Sequence, residues 1–550
     1  MSAVWYSGAG GLGILTWLAL NRRSVRGDVA AAAYFCAGAA LYFFLRRLPQ
    51  SSGLALHTSI STMAVYTCSA LVSTVAYRLS PWHPLAHVSG PLLCRLSSLW
   101  LTTISYRGRR HLAIDCLHAR YGTLVRIGPN MVSVNSPSAQ YIYSASGRME
   151  KSDAYNAPGH DGVVALFFKQ PVEKLHAERK RVWSRLFTSE GLSHVVPFME
   201  RRTFQLLACL ERRQADSPDK LVNLETCFQH WSYDFMGDFV FGGYNRFDMM
   251  KNGDSEGVIE GGRIGMILHD SIGQTPWLLD IAWRLPFSNA MHRLVDIAKR
   301  LMDNRLEATE TPSFRDLVAY LTEDGSIPKR DLHVDAIVAI QAGSDNTHIT
   351  LTLAMYFMLT QPAYLELLRS QLEEIFVDPL GPLPDEKLSE VPLLDAVINE
   401  ALRLGTPFFL PRVVSKGGAI FDEQFIPEDT IVVQAAYSQQ IDPVNFWPDP
   451  LTFRPERWIS EESGLYAKTN KSALSSFSSG AYACVGKQLA YQGLRHVLAR
   501  VVLNVDMALP DGFDPQTFRD GILNIRTTIL EQPLMVHVRR RGDAVPVDDI

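Results

Sequence analysis

Three apolar runs, residues 3–20, 29–45 and 60–79, crowd the start of this chain, and none contains Asp, Glu or Lys. Each is roughly long enough for a helix to cross about 30 Å of hydrocarbon, so a membrane constrains the fold before any other feature does. Arg22, Arg23 and Arg26 follow the first run, Arg46 and Arg47 the second, and Arg78 and Arg95 flank the third. Basic clusters favour the cytoplasmic side, which places the N-terminus outside and, after three crossings, the remaining chain in the cytoplasm. The second run is short and alanine-rich, which leaves two crossings or a re-entrant path open. A cleaved signal peptide is the poorer reading, because the first run lacks a basic leading segment and two more runs follow. Ser80-Pro81-Trp82-His83-Pro84 and Gly90-Pro91 then stop helix propagation. The expected division is a membrane anchor at residues 1–79 with two or three transmembrane helices, a proline-rich hinge at 80–92, and one large domain at 93–550.

That domain is long enough for a substantial core: the 550-residue chain is 47% hydrophobic and 20% charged, with no low-complexity stretch. A net charge of -4 provides no basic field for polyanions, so nucleic acid is excluded as an expected partner. Helical periodicity dominates, with short strand patterns at 124–127, 131–134, 419–421 and 431–434, which predicts a mainly helical α+β domain. The longest helix pattern, 332–361, spans roughly 45 Å. Asp345 and His348 lie near its middle, so it reads as a buried core helix and not as a further crossing.

Seven cysteines occur without CxxC spacing, which points to neither a zinc site nor a disulfide framework. Six read as small buried hydrophobes. Cys484 differs, because it lies in Phe477-Ser478-Ser479-Gly480-Ala481-Tyr482-Ala483-Cys484-Val485-Gly486-Lys487, immediately before a helix pattern. A helix N-terminus favours a thiolate, which suits a metal, and flanking glycines let backbone approach a flat cofactor. The plain alternative is a glycine-rich turn around a core cysteine. The segment resembles the haem-binding loop of the cytochrome P450 family, F-x-x-G-x-R-x-C-x-G, matched at Phe477, Gly480, Cys484 and Gly486. Tyr482 departs from it, standing where the family usually has Arg or His. The resemblance implies a cytochrome P450 fold with a long central helix and small β-sheets, haem b as cofactor, and Cys484 as the axial iron ligand.

Four further segments extend the resemblance over about residues 80–540. Glu400-Ala401-Leu402-Arg403 and Phe453-Arg454-Pro455-Glu456-Arg457-Trp458 resemble the family's ExxR and PERF motifs, implying a structural triad of Glu400, Arg403 and Arg457. His176 and Lys180 fit the family's C-helix positions for haem propionates, and Arg412 resembles a further propionate-binding arginine; the alternative for the C-helix cluster is a solvated basic face. Ala342-Gly343-Ser344-Asp345-Asn346-Thr347 resembles A-G-x-D/E-T-T, where Gly343 would leave space above the haem in a locally widened helix and Asp345 would relay protons. Asn346 replaces the usual threonine, and Thr347 lies one residue away, about 100° around the helix.

The resemblance implies a fungal microsomal monooxygenase that inserts one oxygen atom of O2 into an apolar small molecule, with electrons from NADPH through NADPH-cytochrome P450 reductase. Its place would be the endoplasmic reticulum membrane, its catalytic domain facing the cytoplasm, and its context secondary metabolism, with a terpenoid or polyketide as an example substrate. Ala336, Ile337, Ile340 and Gln341 of the long helix, with Pro407, Phe408, Phe409 and Leu410, are the expected substrate contacts. Two other activities fit the same loop: a reductase-independent isomerase, dehydratase or peroxide-using enzyme, and a non-catalytic haem-binding sensor. A membrane protein without haem is the remaining alternative.

Overall fold

A computed structural model of the chain describes residues 2–21, 23–48, 51–156, 162–170, 173–244, 247–309, 314–459 and 464–542. Arg22 of the first basic cluster and residues 543–550 of the expected large domain lie outside the described residues.

The apolar runs form helices Ser2–Leu20, Gly27–Arg46 and Ser52–Leu79. The third begins eight residues earlier than its apolar run because Ser51 caps it, its hydroxyl accepting from the Leu54 N–H at 3.3 Å. Among the described residues, Gly27–Arg46 and Ser52–Leu79 are long and apolar enough to cross a membrane. The first helix lies close against the third at Gly13, where a Cβ would fall 2.5 Å from the Tyr66 carbonyl oxygen. Small residues at such crossings let helices associate by packing alone, where lipid removes any hydrophobic drive. Ser59 donates to the Gly38 carbonyl at 3.1 Å and joins the third helix to the second. Gly27 N–H in turn donates to Asp280 at 2.9 Å, which ties the second helix to the large domain.

The large domain is helical around one unbroken 32-residue helix, Lys329–Thr360, which starts three residues before the apolar pattern does. Helices Leu224–Phe241, Pro392–Leu404 and Lys487–Asn504 pack around it. Leu351, Leu353, Ala354 and Met358 are buried at this junction, with Trp231 and Phe239 from the neighbouring helix. Burying one such large apolar side chain stabilises a fold by about 1.5–3 kcal/mol.

All four expected strands form. Leu124–Gly128, Met131–Val134, Ile431–Gln434, Arg412–Val413 and Glu150–Lys151 make one five-stranded sheet in that spatial order. Met131–Val134 pairs with Ile431–Gln434 in parallel, and the other neighbours are antiparallel. At the end of the sheet, Lys151 stands directly opposite Arg412. A separate hairpin, Ile522–Ile525 with Thr527–Leu530, has Arg526 at its apex.

Candidate active site

The cysteine loop is built by backbone geometry. Gly480 has φ +65°, and a Cβ there would lie 2.2 Å from the Tyr143 carbonyl oxygen, so this position requires glycine. The Cys484 N–H donates to the Phe477 carbonyl at 2.9 Å, closing the loop before the helix starts at Lys487. Gly486 has an ordinary φ of -86°, and its missing side chain leaves open the space beside the Cys484 sulfur, 3.9 Å from where a Cβ would sit. Burial pushes the Cys484 thiol up, opposed by the Gly486 N–H and by the charges of Lys180 and Lys487.

The sulfur opens on a cavity of about 450 Å³, mainly apolar and lined by Trp183, Phe187, Phe235, Phe239, Leu353 and Phe477 among others. Cations gather along one wall. Lys151 is buried, donating to the carbonyls of Leu166 at 3.0 Å and Phe167 at 2.7 Å, with no carboxylate partner among the described residues. Burial, then Arg412, Arg526 and Lys180, push its pKa well below the ordinary lysine value. Arg412, also buried, donates to Tyr155 at 3.2 Å and lies 4.8 Å from the Tyr482 ring centroid, while its Nε has no partner. Like charges directly opposite across a strand pair repel, so Lys151 facing Arg412 marks a place that needs an anion.

His176 packs edge-on against Tyr482 at 4.5 Å, and its buried Nε2 is unpaired. Burial and the charges of Lys151, Lys180 and Arg412 pull its pKa down to about 4, so it is neutral near pH 7 and not a cation. Lys180 donates to the Ala481 and Ala483 carbonyls, each at 2.9 Å, and so braces the cysteine loop. On the other side of the same helix, Arg179 pairs with Asp335 and, at 3.1 Å, with Asp331 of the central helix.

Asp345 is buried in the cavity wall, where its Oδ1 accepts from the Tyr233 hydroxyl at 3.0 Å and its Oδ2 is unpaired. Burial raises its pKa to about 7. Asn346 donates to the Ala342 carbonyl at 3.1 Å and accepts from the Thr527 hydroxyl at 2.7 Å, so a hairpin residue fixes its amide. Thr347 donates back to the Gly343 carbonyl at 2.7 Å. These side chains bond alongside the helical ladder without breaking it, and the expected local widening is absent: the segment is α-helical throughout. Gly343 borders the cavity and has a second neighbour. A Cβ there would meet the Met236 sulfur at 2.5 Å, so the glycine admits a neighbouring helix as well as bordering the cavity.

Ile337, Gln341, Pro407, Phe408 and Leu410 line the cavity as expected from sequence. Ala336, Ile340 and Phe409 do not. Ala336 and Ile340 share a face four residues apart that the helix turns into the core. Phe409 instead lies under the Arg110 guanidinium at 4.3 Å. Glu400, Arg403 and Arg457 meet away from the cavity wall, each fully buried, with Glu400 2.6 Å from Arg403 and 3.4 Å from Arg457. Lys151, Tyr233, Thr527 and Arg526 were not picked out from sequence. A lysine in a two-residue strand, a helical tyrosine and two hairpin residues carry no local motif.

The cytochrome P450 family model matches residues 88–532. The chain is 30% identical to tryprostatin B 6-hydroxylase of Neosartorya fischeri, over 88% of each chain. It is 31% identical to cytochrome P450 monooxygenase orf5 of Eupenicillium brefeldianum, over 89% of this chain and 98% of that one. It is also 31% identical to cytochrome P450 monooxygenase sthD of Phaeosphaeria nodorum, over 83% and 95%. With the sulfur, the apolar cavity and the helical core arranged as described, this match over most of its length makes the chain a member of the cytochrome P450 family, an oxidoreductase of the monooxygenase class.

Proposed function

We propose that the cavity binds haem b with Cys484 as axial ligand, and that the enzyme hydroxylates an apolar substrate: RH + O2 + NADPH + H+ gives ROH + H2O + NADP+. The observation that carries this reading is the Cys484 sulfur opening on an apolar cavity whose wall holds two buried basic side chains, Lys151 and Arg412, without carboxylate partners among the described residues. Those features suit a flat apolar group with two carboxylates. Among the described residues, no cluster of His, Cys, Asp and Glu could hold a metal ion, so a metal bound by this one sulfur must bring its other ligands with it. When bound, the haem supplies oxygen activation, and the thiolate ligand favours O–O cleavage.

The protein's part is to bind, orient and deliver protons. Phe477 and Gly486 flank the sulfur, and Tyr482, Lys180 and His176 brace the edge nearest the cations. Asp345 stores a proton at the cavity wall, while Asn346, fixed by Thr527, and Thr347 set the local polarity of the helix. Electrons would come from a membrane-bound NADPH-cytochrome P450 reductase. The two apolar helices support a multi-pass anchor in the endoplasmic reticulum, with residues 80–92 as the hinge and the domain from 93 onward in the cytoplasm. The similarity to fungal monooxygenases such as tryprostatin B 6-hydroxylase supports a role in secondary metabolism.

The test is the CO difference spectrum of reduced microsomes containing the full chain. A band near 450 nm that disappears in Cys484→Ala is the expected result. Haem-loaded protein without that band would overturn the reading. Lys151→Gln is expected to release haem to an acceptor protein about tenfold faster, because one of two opposed buried cations is lost. An unchanged release rate would remove Lys151 from the haem site.

A further inference from the structure

Arg526 is the least explained charge in the cavity wall. It occupies the apex of the hairpin between Ile525 and Thr527 with φ +55°, a backbone conformation unusual for any residue but glycine. Its N–H donates to Asp270 Oδ2 at 2.9 Å, which pins the turn. Strain of this kind persists where surrounding structure imposes it and often marks a working residue. The side chain lines the cavity and lies over the Phe167 ring at 4.8 Å and the Tyr155 ring at 5.6 Å.

Asp270 neutralises it only in part. That carboxylate already binds the Arg110 guanidinium at 2.9 Å, both groups being 1% exposed, and its other oxygen is 3.9 Å from Arg526 Nε, beyond hydrogen-bond reach. Arg110 is in turn fixed to Asn524 Oδ1 at 2.8 and 3.1 Å. Adjacent His269 is neutral, its pKa pulled to about 3 by burial and by Arg526. Two guanidiniums and one carboxylate leave one positive charge, and the Arg526 guanidinium makes no hydrogen bond among the described residues. On the haem reading, Lys151 and Arg412 would be the partners of the two haem carboxylates. A guanidinium that shares one distant carboxylate and makes no hydrogen bond among the described residues is costly beside an apolar cavity unless a ligand anion completes it.

We propose that the substrate carries a carboxylate and that Arg526 binds it, orienting an otherwise apolar molecule in the cavity. This assignment rests on the haem reading above. It adds a substrate class that the apolar lining alone does not define. Planar guanidinium matches a carboxylate through two parallel hydrogen bonds, which favours the acid over its ester.

The test uses the full-length, haem-loaded protein and the Soret absorbance change on titration with dodecanoate or 4-phenylbenzoate, each compared with its methyl ester. In the wild type at least one acid is expected to bind about tenfold more tightly than its ester, and in Arg526→Gln that preference is expected to vanish. Arg526→Lys should keep part of it, since the charge remains while the fork is lost. The assignment is overturned if neither acid is preferred in the wild type, or if Arg526→Gln keeps the preference. It is also overturned if Arg526→Gln loses haem as Lys151→Gln does, which would make Arg526 a haem partner. Failure of the haem reading itself shows separately, as an absent 450 nm band in the wild type before any probe is added.

Discussion

Glu400→Ala is expected to yield almost no haem-loaded protein, with a loss of folding free energy of about 3–5 kcal/mol. Against a typical total of about 5–15 kcal/mol, that loss is decisive. Glu400 is the one carboxylate between Arg403 and Arg457, and all three are fully buried. It also accepts from Trp458 Nε1 at 2.9 Å and from the Arg454 N–H at 3.0 Å. The two guanidiniums then reach outward to the chain that follows. Arg403 donates to the carbonyls of Gln440 at 2.7 Å and Pro450 at 2.6 Å, and Arg457 to Phe446, Trp447 and Asp449, each at 2.9 Å. Removing the carboxylate strands two positive charges and frees the segment leading to the cysteine loop. Glu400→Gln should be less damaging, because it keeps acceptors for Trp458 and Arg454 while losing the charge. The measurement is haem content and denaturant midpoint of the detergent-solubilised full chain. A wild-type midpoint in Glu400→Ala would show that the network is dispensable.

Such a network was legible only in part. Glu400 and Arg403 sit three residues apart on one helical face, and the resemblance of residues 453–458 to the PERF motif adds Arg457, but Trp458 and the carbonyls that the two guanidiniums reach arrive through chain reversal. The central helix and four strands follow from their apolar patterns, although Leu124–Gly128, Met131–Val134 and residues 348–358 of the helix are buried on every side. Phase within the helix was harder. Ile337 and Gln341 face the cavity while Ala336 and Ile340, equally small or apolar, face the core, and only the packed neighbours distinguish the two. The Lys151–Arg412 opposition depends on the register of a two-residue strand, and the Arg526 charge on an Asp270 already bound elsewhere. No local pattern encodes either arrangement. Both arise from long-range pairing, which also explains why the cysteine loop, whose geometry is set largely by its own glycines, was the easiest part of the site to read.

Asp345→Asn is expected to lower turnover about 100-fold or more at pH 7 if this carboxyl delivers protons. The same substitution should stabilise the fold in alkaline solution. Burial raises the Asp345 pKa from 3.8 to about 7, so the folded chain retains a proton that the unfolded chain has lost between those values. The resulting destabilisation is absent below pH 3.8, grows as pH rises, and is complete above about 7. Replacing the acid by a neutral amide removes it, giving roughly 2 to 4 kcal/mol at pH 8 and only about 0.5 kcal/mol at pH 4. A less active but more stable variant is the signature of a group kept for function at the expense of stability. Tyr233→Phe separates the two roles. The Tyr233 hydroxyl donates to Asp345 and lowers its pKa against the effect of burial, so its removal should move the inflection of the turnover profile above pH 7. Wild-type turnover in Asp345→Asn would sink the proton-delivery role, whereas lost turnover with no pH-dependent gain in stability would mean that Asp345 is not held near pKa 7.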